Sequence, residues 1–184
     1  MTDLGWSDRV AALDDAVEAW LEPRRSPALD RVFYSLSSAA DHSILWHACG
    51  SVRAARRGDP AIALRLSALL GVESGLTNGA IKSFFRRVRP VPETPPGEPL
   101  PYGMRRPITS SFPSGHATAA FTAATLLTRR GTGSRPLFFG LAALVSASRV
   151  YVRMHHLSDV VVGAALGLVF GRVFARVLPI ERTR

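Results

Sequence analysis

Two histidines in this chain are spaced so that they could act together on a phosphate group. His155 lies four residues before Asp159 and six after Arg149, and His116 closes the sequence Pro-Ser-Gly-His that begins at Pro113. Histidine can serve as a nucleophile or as a general acid and base, and arginine can donate paired hydrogen bonds to phosphate oxygens. Histidines set among arginines therefore indicate phosphoryl transfer.

The distribution of charge favours an anionic ligand. The chain carries 23 basic side chains, of which only Lys82 is a lysine, and its formal net charge is +9. Between residues 99 and 158 there are seven arginines and no aspartate or glutamate. Such a segment builds a positive field that concentrates anions. Because no zinc-finger, RNA-recognition or basic-zipper pattern is present, we predict no nucleic-acid partner and favour a small or lipid-borne phosphate.

Apolar periodicity predicts an all-α fold in a single domain spanning residues 1–184. An amphipathic helix is expected within residues 1–25, where Val10, Leu13, Val17 and Leu21 recur at helical spacing and either cap the fold or lie at an interface. Six further helices are predicted over residues 28–40, 42–52, 61–84, 116–128, 136–152 and 158–178. The prolines of residues 89–113 predict a structured loop that carries part of the site.

The six helices after the amphipathic segment are predicted to form a membrane-embedded bundle. A span needs about 20 largely apolar residues, so arginines near the helix ends, such as Arg172 and Arg176, would have to extend their charges to the interface. Glycines in the last helix, including Gly163, Gly167 and Gly171, would permit close packing in lipid. A soluble helical bundle remains the alternative.

Alternate crossings of these helices would bring the polar motifs to one face of the membrane. Lys82 and Arg89 would follow the third helix, His116 would begin the fourth, Arg149 would end the fifth and Asp159 would begin the sixth. The opposite face would collect arginines and so be cytoplasmic by the positive-inside rule, which places the site on the extracytoplasmic face of the cell membrane. The arginines assigned to that opposite face are Arg24, Arg25, Arg53, Arg56, Arg57, Arg129, Arg130, Arg135, Arg182 and Arg184.

Three motifs in this order resemble the signatures of the type 2 phosphatidic acid phosphatase superfamily, which also contains the vanadium-dependent haloperoxidases. Lys82, Arg89 and Pro90 match the first signature, and the Pro-Ser-Gly-His sequence at 113–116 matches the second. The third is matched by Ser148, Arg149, His155 and Asp159. Between His155 and Asp159 this chain has His-Leu-Ser, where family members often have an aromatic residue and a proline.

The resemblance implies a metal-independent phosphatase with no cofactor, in which His155 is the nucleophile and forms a phosphohistidine. Asp159 would orient the His155 imidazole, and His116 would protonate the leaving oxygen and then activate water. Lys82, Arg89 and Arg149 would bind the phosphate oxygens, together with Ser114 and the Gly115 amide at a helix start. Arg86, Arg87, Arg105 and Arg106 are expected to form a basic rim outside this group.

The resemblance implies a lipid phosphate as the substrate and the membrane as the second partner. Among the phosphomonoesters and diphosphates that the family hydrolyses, the small size of this chain favours a polyprenyl-linked phosphate or diphosphate over phosphatidate. Two alternatives stay open: a vanadium haloperoxidase-like or soluble acid phosphatase activity, and a non-catalytic membrane protein that binds phospholipid headgroups. The sequence does not indicate an oligomeric state.

Overall fold

The computed structural model describes residues 5–90, 100–103, 108–128 and 134–181, which contain seven α-helices and no β-strand. The all-α prediction is confirmed, with the N-terminal helix and six others at nearly the predicted positions. The helices are α1 (Trp6–Leu21), α2 (Pro27–Ala39), α3 (Ile44–Arg57), α4 (Ala61–Ser74), α5 (Gly115–Thr128), α6 (Arg135–Tyr151) and α7 (Leu157–Val177).

Local signals set several of the helix ends. Ser26 precedes α2 and its hydroxyl accepts a hydrogen bond from the Leu29 amide at 3.3 Å. Pro27 then occupies the first helical position, where a missing N–H costs nothing. At the end of α3, Gly58 adopts the left-handed conformation (φ 62°) that favours glycine after a helix.

The segment after α4 differs from the single helix predicted over residues 61–84. The α-helix ends at Ser74 and continues as a π-helix, Gly75–Ala80, and a short 3₁₀ helix, Ile81–Phe84. Gly75 and Gly79 stabilise an α-helix poorly, which allows the wider turn. The π-helix changes the angular position of the residues that follow it, including Lys82.

Among the described helices, α5 and α7 pack against each other most extensively. A side chain at Gly163 would place its Cβ 2.5 Å from the Ser114 carbonyl oxygen, and one at Gly167 would place it 2.4 Å from the Thr118 carbonyl oxygen. The prediction that glycines of the last helix permit close packing is therefore confirmed. This contact fixes the start of α5 against the start of α7.

The other two helices, α1 and α2, lie at the end of the bundle where α6 finishes and α7 begins. Asp14 of α1 is buried there and accepts hydrogen bonds from the Ser158 amide and hydroxyl. Both ends of α2 reach the C-terminal part of α6, since Arg25 bonds to the Tyr151 carbonyl and Ser37 to Arg149. The prediction that Arg25 and its neighbour Arg24 lie at the opposite end is therefore wrong. The arginines at 129, 130, 182 and 184, also predicted at that opposite end, fall outside the described residues.

Among the described helices, α7 is the one long and apolar enough to cross a membrane, with 21 residues and a mean hydropathy of 1.9. The helices α3, α4 and α5 have 14 residues each, and α6 has 17. Fourteen helical residues rise about 21 Å, which is less than the roughly 30 Å hydrocarbon core of a typical bilayer.

Candidate active site

A cavity of about 510 Å³ opens at the end of the bundle that α1 and α2 cover. Six of the eight predicted site residues line it, namely Lys82, Arg89, Gly115, His116, Arg149 and His155. These residues come from three separate stretches of the chain, 82–89, 115–116 and 149–155, so the fold brings together what the sequence keeps apart. Ser114 and Asp159 do not line the cavity and lie behind its wall.

The arginines of the cavity donate hydrogen bonds to neutral groups, so their charges are only partly offset, by Asp159 for Arg89 and by Asp41 for Arg149. Arg89 donates to the carbonyl oxygens of Met154 at 2.8 Å and Ser110 at 3.1 Å. Arg149 is buried and donates to the Ser37 hydroxyl. Carbonyl and hydroxyl oxygens orient a guanidinium without neutralising it, so these groups present a strong positive field to an anion.

Lys82 is the third cation and the one whose charge is sensitive to pH. Only 7% of the residue is exposed. Burial, with the nearby charges of Arg89 and Arg149, lowers the pKa of Lys82 to about 8. A phosphate bound in the cavity would restore the preference for the charged form, because an opposite charge stabilises an ammonium group.

The His155 imidazole is hydrogen-bonded at Nε2 and faces a carboxylate at Nδ1. Nε2 lies 3.0 Å from Nη1 of Arg89, and a guanidinium can only donate, so Nε2 accepts. The proton of the neutral ring then resides on Nδ1, which lies 3.5 Å from Oδ2 of Asp159. Burial and the charges of Arg89, Arg149 and Lys82 hold the pKa of His155 well below its usual value. His155 therefore presents an unprotonated Nε2 to the cavity.

Asp159 caps α7 as well as facing His155. Its Oδ2 accepts a hydrogen bond from the His156 amide at 3.0 Å, and its Oδ1 accepts one from Arg87 at 2.7 Å. The same guanidinium of Arg87 donates to Asp14 at 2.6 Å. Arg87 was predicted to belong to a basic rim, and this was wrong, because its charge is held between two buried carboxylates. Arg105 and Arg106, assigned to the same rim, lie outside the described residues, whereas Arg86 lines a second, adjoining cavity.

His116 is the second residue of α5 and contacts an acid from a distant part of the chain. Its Nε2 lies 2.8 Å from Oδ1 of Asp41, in the turn between α2 and α3. Gly115 precedes it, and a side chain there would bring its Cβ within 2.7 Å of Asn78 Oδ1. Ser114 is fully buried, and its amide donates to the Asp159 carbonyl at 3.0 Å. Its predicted contact with phosphate stays a prediction.

Sequence reasoning did not identify Asp14, Asp41 and Arg87 as part of this site. A signal for Asp14 exists, because it lies four residues after Val10 and seven before Leu21, on the apolar stripe of α1. A buried acid on such a stripe needs a partner. For Asp41 and Arg87 no local pattern identifies the role, since their contacts in the site are formed with residues more than 70 positions away.

Comparison with known proteins identifies a family for this chain. The family model described as the PAP2 superfamily matches residues 61–182. Decaprenylphosphoryl-5-phosphoribose phosphatases from two strains of Mycobacterium tuberculosis are 41% identical over 93 residues, which is 50% of this chain and 49% of theirs. The matched segment thus spans about half the length of these curated relatives.

Two solved structures resemble the whole chain more fully. A transmembrane PAP2-type phosphatidylglycerolphosphate phosphatase from Bacillus subtilis has a TM-score of 0.69 and 25% identity, over 96% of this chain and 90% of that one. LpxE from Aquifex aeolicus has a TM-score of 0.67 and 25% identity, over 88% and 93%.

Proposed function

Because the chain belongs to the PAP2 superfamily, we propose that it is a membrane lipid-phosphate phosphatase that acts through a phosphohistidine on His155. The observation that carries this proposal is the single cavity in which Lys82, Arg89 and Arg149 surround the imidazoles of His116 and His155. Phosphoryl transfer needs positioning and charge stabilisation of the transferred group, and this set of side chains supplies both. No metal ligand is required by the reaction.

In the first step, a terminal phosphate would bind to the three cations. The Arg89 N–H that bonds to Nε2 of His155 would transfer to a phosphate oxygen, and the freed Nε2 lone pair would attack phosphorus. The P–N bond forms as the bond from phosphorus to the leaving oxygen breaks, and that oxygen takes the electron pair and a proton from His116. Asp159 would stabilise the positive charge that develops on His155, since Nδ1 carries the proton next to its carboxylate. The loose 3.5 Å contact would shorten as the charge grows.

In the second step, water would replace the imidazole on phosphorus. His116, now neutral, takes a proton from the water as its oxygen bonds to phosphorus. The P–N bond breaks and its electron pair returns to Nε2 of His155. Phosphate leaves, and both histidines are restored to their starting states.

The exposed apolar surface supports a membrane location. On α7, which is long enough to span a bilayer, several valines are about half exposed or more: Val161, Val169, Val173 and Val177. At the site end, Trp6 and Trp20 of α1 are exposed, as expected of a helix lying at a lipid interface. The opposite end carries Arg53, Arg56 and Arg57 of α3, which favours a cytoplasmic position for that end and an extracytoplasmic cavity.

For the substrate we place a polyprenyl-linked phosphate first. The named activity of the mycobacterial relatives concerns a polyprenyl-linked phosphosugar, and the Bacillus structure concerns a glycerol phospholipid. Both carry a terminal phosphomonoester, which the cavity can accept without a second charged site.

Phosphate release by the detergent-purified protein tests this proposal. The panel would contain polyprenyl phosphate, polyprenyl diphosphate, a polyprenylphosphoryl phosphoribose, phosphatidic acid and phosphatidylglycerol phosphate, each with and without EDTA. We expect release that persists in EDTA and is fastest with a polyprenyl-linked substrate. Absence of release from every lipid by folded protein would contradict the proposal, and EDTA-sensitive release would contradict the metal-independent mechanism.

The pH dependence should report the state of Lys82. Its charge is present below a pKa of about 8 and is lost above it, so phosphate affinity should fall as pH rises through 8. We expect kcat/KM, which reports the free enzyme, to decline above about pH 8. The value of kcat should be flatter there, because bound phosphate keeps Lys82 protonated.

The matched variant for this measurement is Lys82→Arg, which keeps the charge and removes the titration. A guanidinium remains protonated well above pH 10. The declining limb of kcat/KM should therefore move to higher pH by at least about one unit. If the limb stays where it is in the unsubstituted protein, Lys82 does not cause it.

A further inference from the structure

Asp41 is a half-exposed acid at the cavity wall that the phosphatase reaction as described above does not use. Its Oδ1 lies 2.8 Å from Nε2 of His116, and both residues line the same cavity. We propose that Asp41 is a positioning residue for His116, which holds the imidazole in one tautomer and offsets its charge during proton transfer. This inference rests on the proposed function, because it concerns the general acid and base of that reaction.

The turn that carries Asp41 has an unusual backbone. The two residues after it, His42 and Ser43, both adopt left-handed conformations, with φ of 52° and 60°. This conformation is unfavourable for residues other than glycine, and it persists where the surrounding structure imposes it. The turn between α2 and α3 thus directs the carboxylate of Asp41 to the start of α5.

The contact decides which nitrogen of His116 is free for chemistry. A carboxylate accepts hydrogen bonds, so Nε2 carries a proton and donates it to Asp41. Nδ1 is then the nitrogen that gives its proton to the leaving oxygen in the first step and takes one from water in the second. Without Asp41 the neutral ring could adopt the other tautomer, whose proton on Nδ1 prevents it from acting as the base.

The charges around His116 make a carboxylate necessary. To act as an acid His116 must carry a positive charge, yet burial and the like charges of Arg149 and Lys82 lower its pKa to about 4, so the free imidazole is neutral at neutral pH. A bound phosphate would favour the charged form, because an opposite charge stabilises an imidazolium. Asp41 is the acid that faces it. Although burial alone raises the pKa of Asp41, its hydrogen bond to His116 and the nearby charge of Arg149 lower it overall, so the carboxylate is ionised at neutral pH.

Leaving-group dependence in an Asp41→Asn variant tests this role. A lipid alkyl phosphate needs a proton on its leaving oxygen, whereas p-nitrophenyl phosphate releases a weakly basic phenolate that does not. We expect kcat/KM of the variant to fall by about tenfold to a hundredfold on a polyprenyl phosphate and by less than about twofold on p-nitrophenyl phosphate. The control is Asp59→Asn, a distant acid whose side chain only caps the start of α4 and whose replacement can still accept that bond.

A second measurement tests the contact between Asp41 and His116 and does not depend on enzyme activity. Nitrogen-15 NMR of histidine-labelled protein, with the His116 signal assigned through His116→Gln, follows the protonation of that ring. In Asp41→Asn we expect His116 to take up its second proton at a pH lower by about one unit, and in Asp59→Asn at an unchanged pH.

The outcomes separate the two proposals. Equal losses on both substrates, no loss on either, or an unchanged His116 titration in Asp41→Asn would overturn the role of Asp41. A folded unsubstituted protein that hydrolyses neither substrate would overturn the proposed function, and the His116 titration would then decide the contact alone.

Discussion

Replacing His155 with alanine is expected to lower kcat for phosphate release by at least about a thousandfold. The imidazole Nε2 would form the new P–N bond. Among the described residues that line the cavity, His155 is the one with an unprotonated nitrogen next to Arg89. Binding of vanadate or phosphate should weaken by less than about tenfold, since Lys82, Arg89 and Arg149 remain. A split between turnover and binding of this size distinguishes a nucleophile from a residue that only binds.

The adjacent His156 supplies the matched control. Its Nδ1 lies 3.4 Å from the same Asp159 carboxylate, so it is the competing candidate for the nucleophile. The amide of residue 156 caps α7 whatever the side chain, and His156→Ala should therefore keep turnover within about tenfold of the unsubstituted protein. A rapid alkaline quench should trap phosphate on His155. Loss of turnover in His156→Ala with retention in His155→Ala would reverse the assignment.

Replacing Gly167 with alanine is expected to destabilise the protein by about 2 kcal/mol or more. The added Cβ would lie 2.4 Å from the Thr118 carbonyl oxygen, and a backbone atom cannot rotate away as a side chain could. Helices α5 and α7 would have to separate, which also moves His116 away from His155. We expect the Tm in detergent to fall by about 4 °C or more, with a loss of turnover in the folded fraction.

Replacing Gly140 with alanine should have the opposite effect on stability. Gly140 lies within α6, and a Cβ there would meet nothing within 4 Å. Alanine is favoured over glycine in a helix interior by up to about 1 kcal/mol, so Gly140→Ala should leave Tm unchanged or raise it. Equal Tm values for Gly140→Ala and Gly167→Ala would show that α5 and α7 are not in the close contact described above.

The sequence predicts the helices well, because each depends on local properties. Apolar spacing marks where α5, α6 and α7 lie, and their observed bounds differ from the predicted ones by about one residue. The change to a π-helix after Ser74 was not predicted, since glycines inside an apolar pattern weaken a helix without specifying what replaces it.

Part of the site could also be predicted, because those residues belong to motifs with a fixed spacing. Lys82, Arg89, His116, Arg149 and His155 were identified by their spacing within motifs, and the fold places them around one cavity. Asp14 and Asp41 lie outside those motifs, and each meets its partner only through tertiary structure. Two acids of the N-terminal part thus complete a group of residues whose spacing alone reveals only the cations and histidines.

Arg87 binds both Asp14 and Asp159, so the docking of α1 is thermodynamically coupled to the state of the His155–Asp159 pair. Arg87 donates to both carboxylates, one on the covering helix and one beside the nucleophile. An event that weakens the bond between Asp159 and Arg87, such as positive charge developing on His155, must also change how strongly α1 is bound. Docking of α1 must in turn change the free energy of that event by the same amount. Helix α1 and the proposed nucleophile His155 are therefore thermodynamically linked through Arg87.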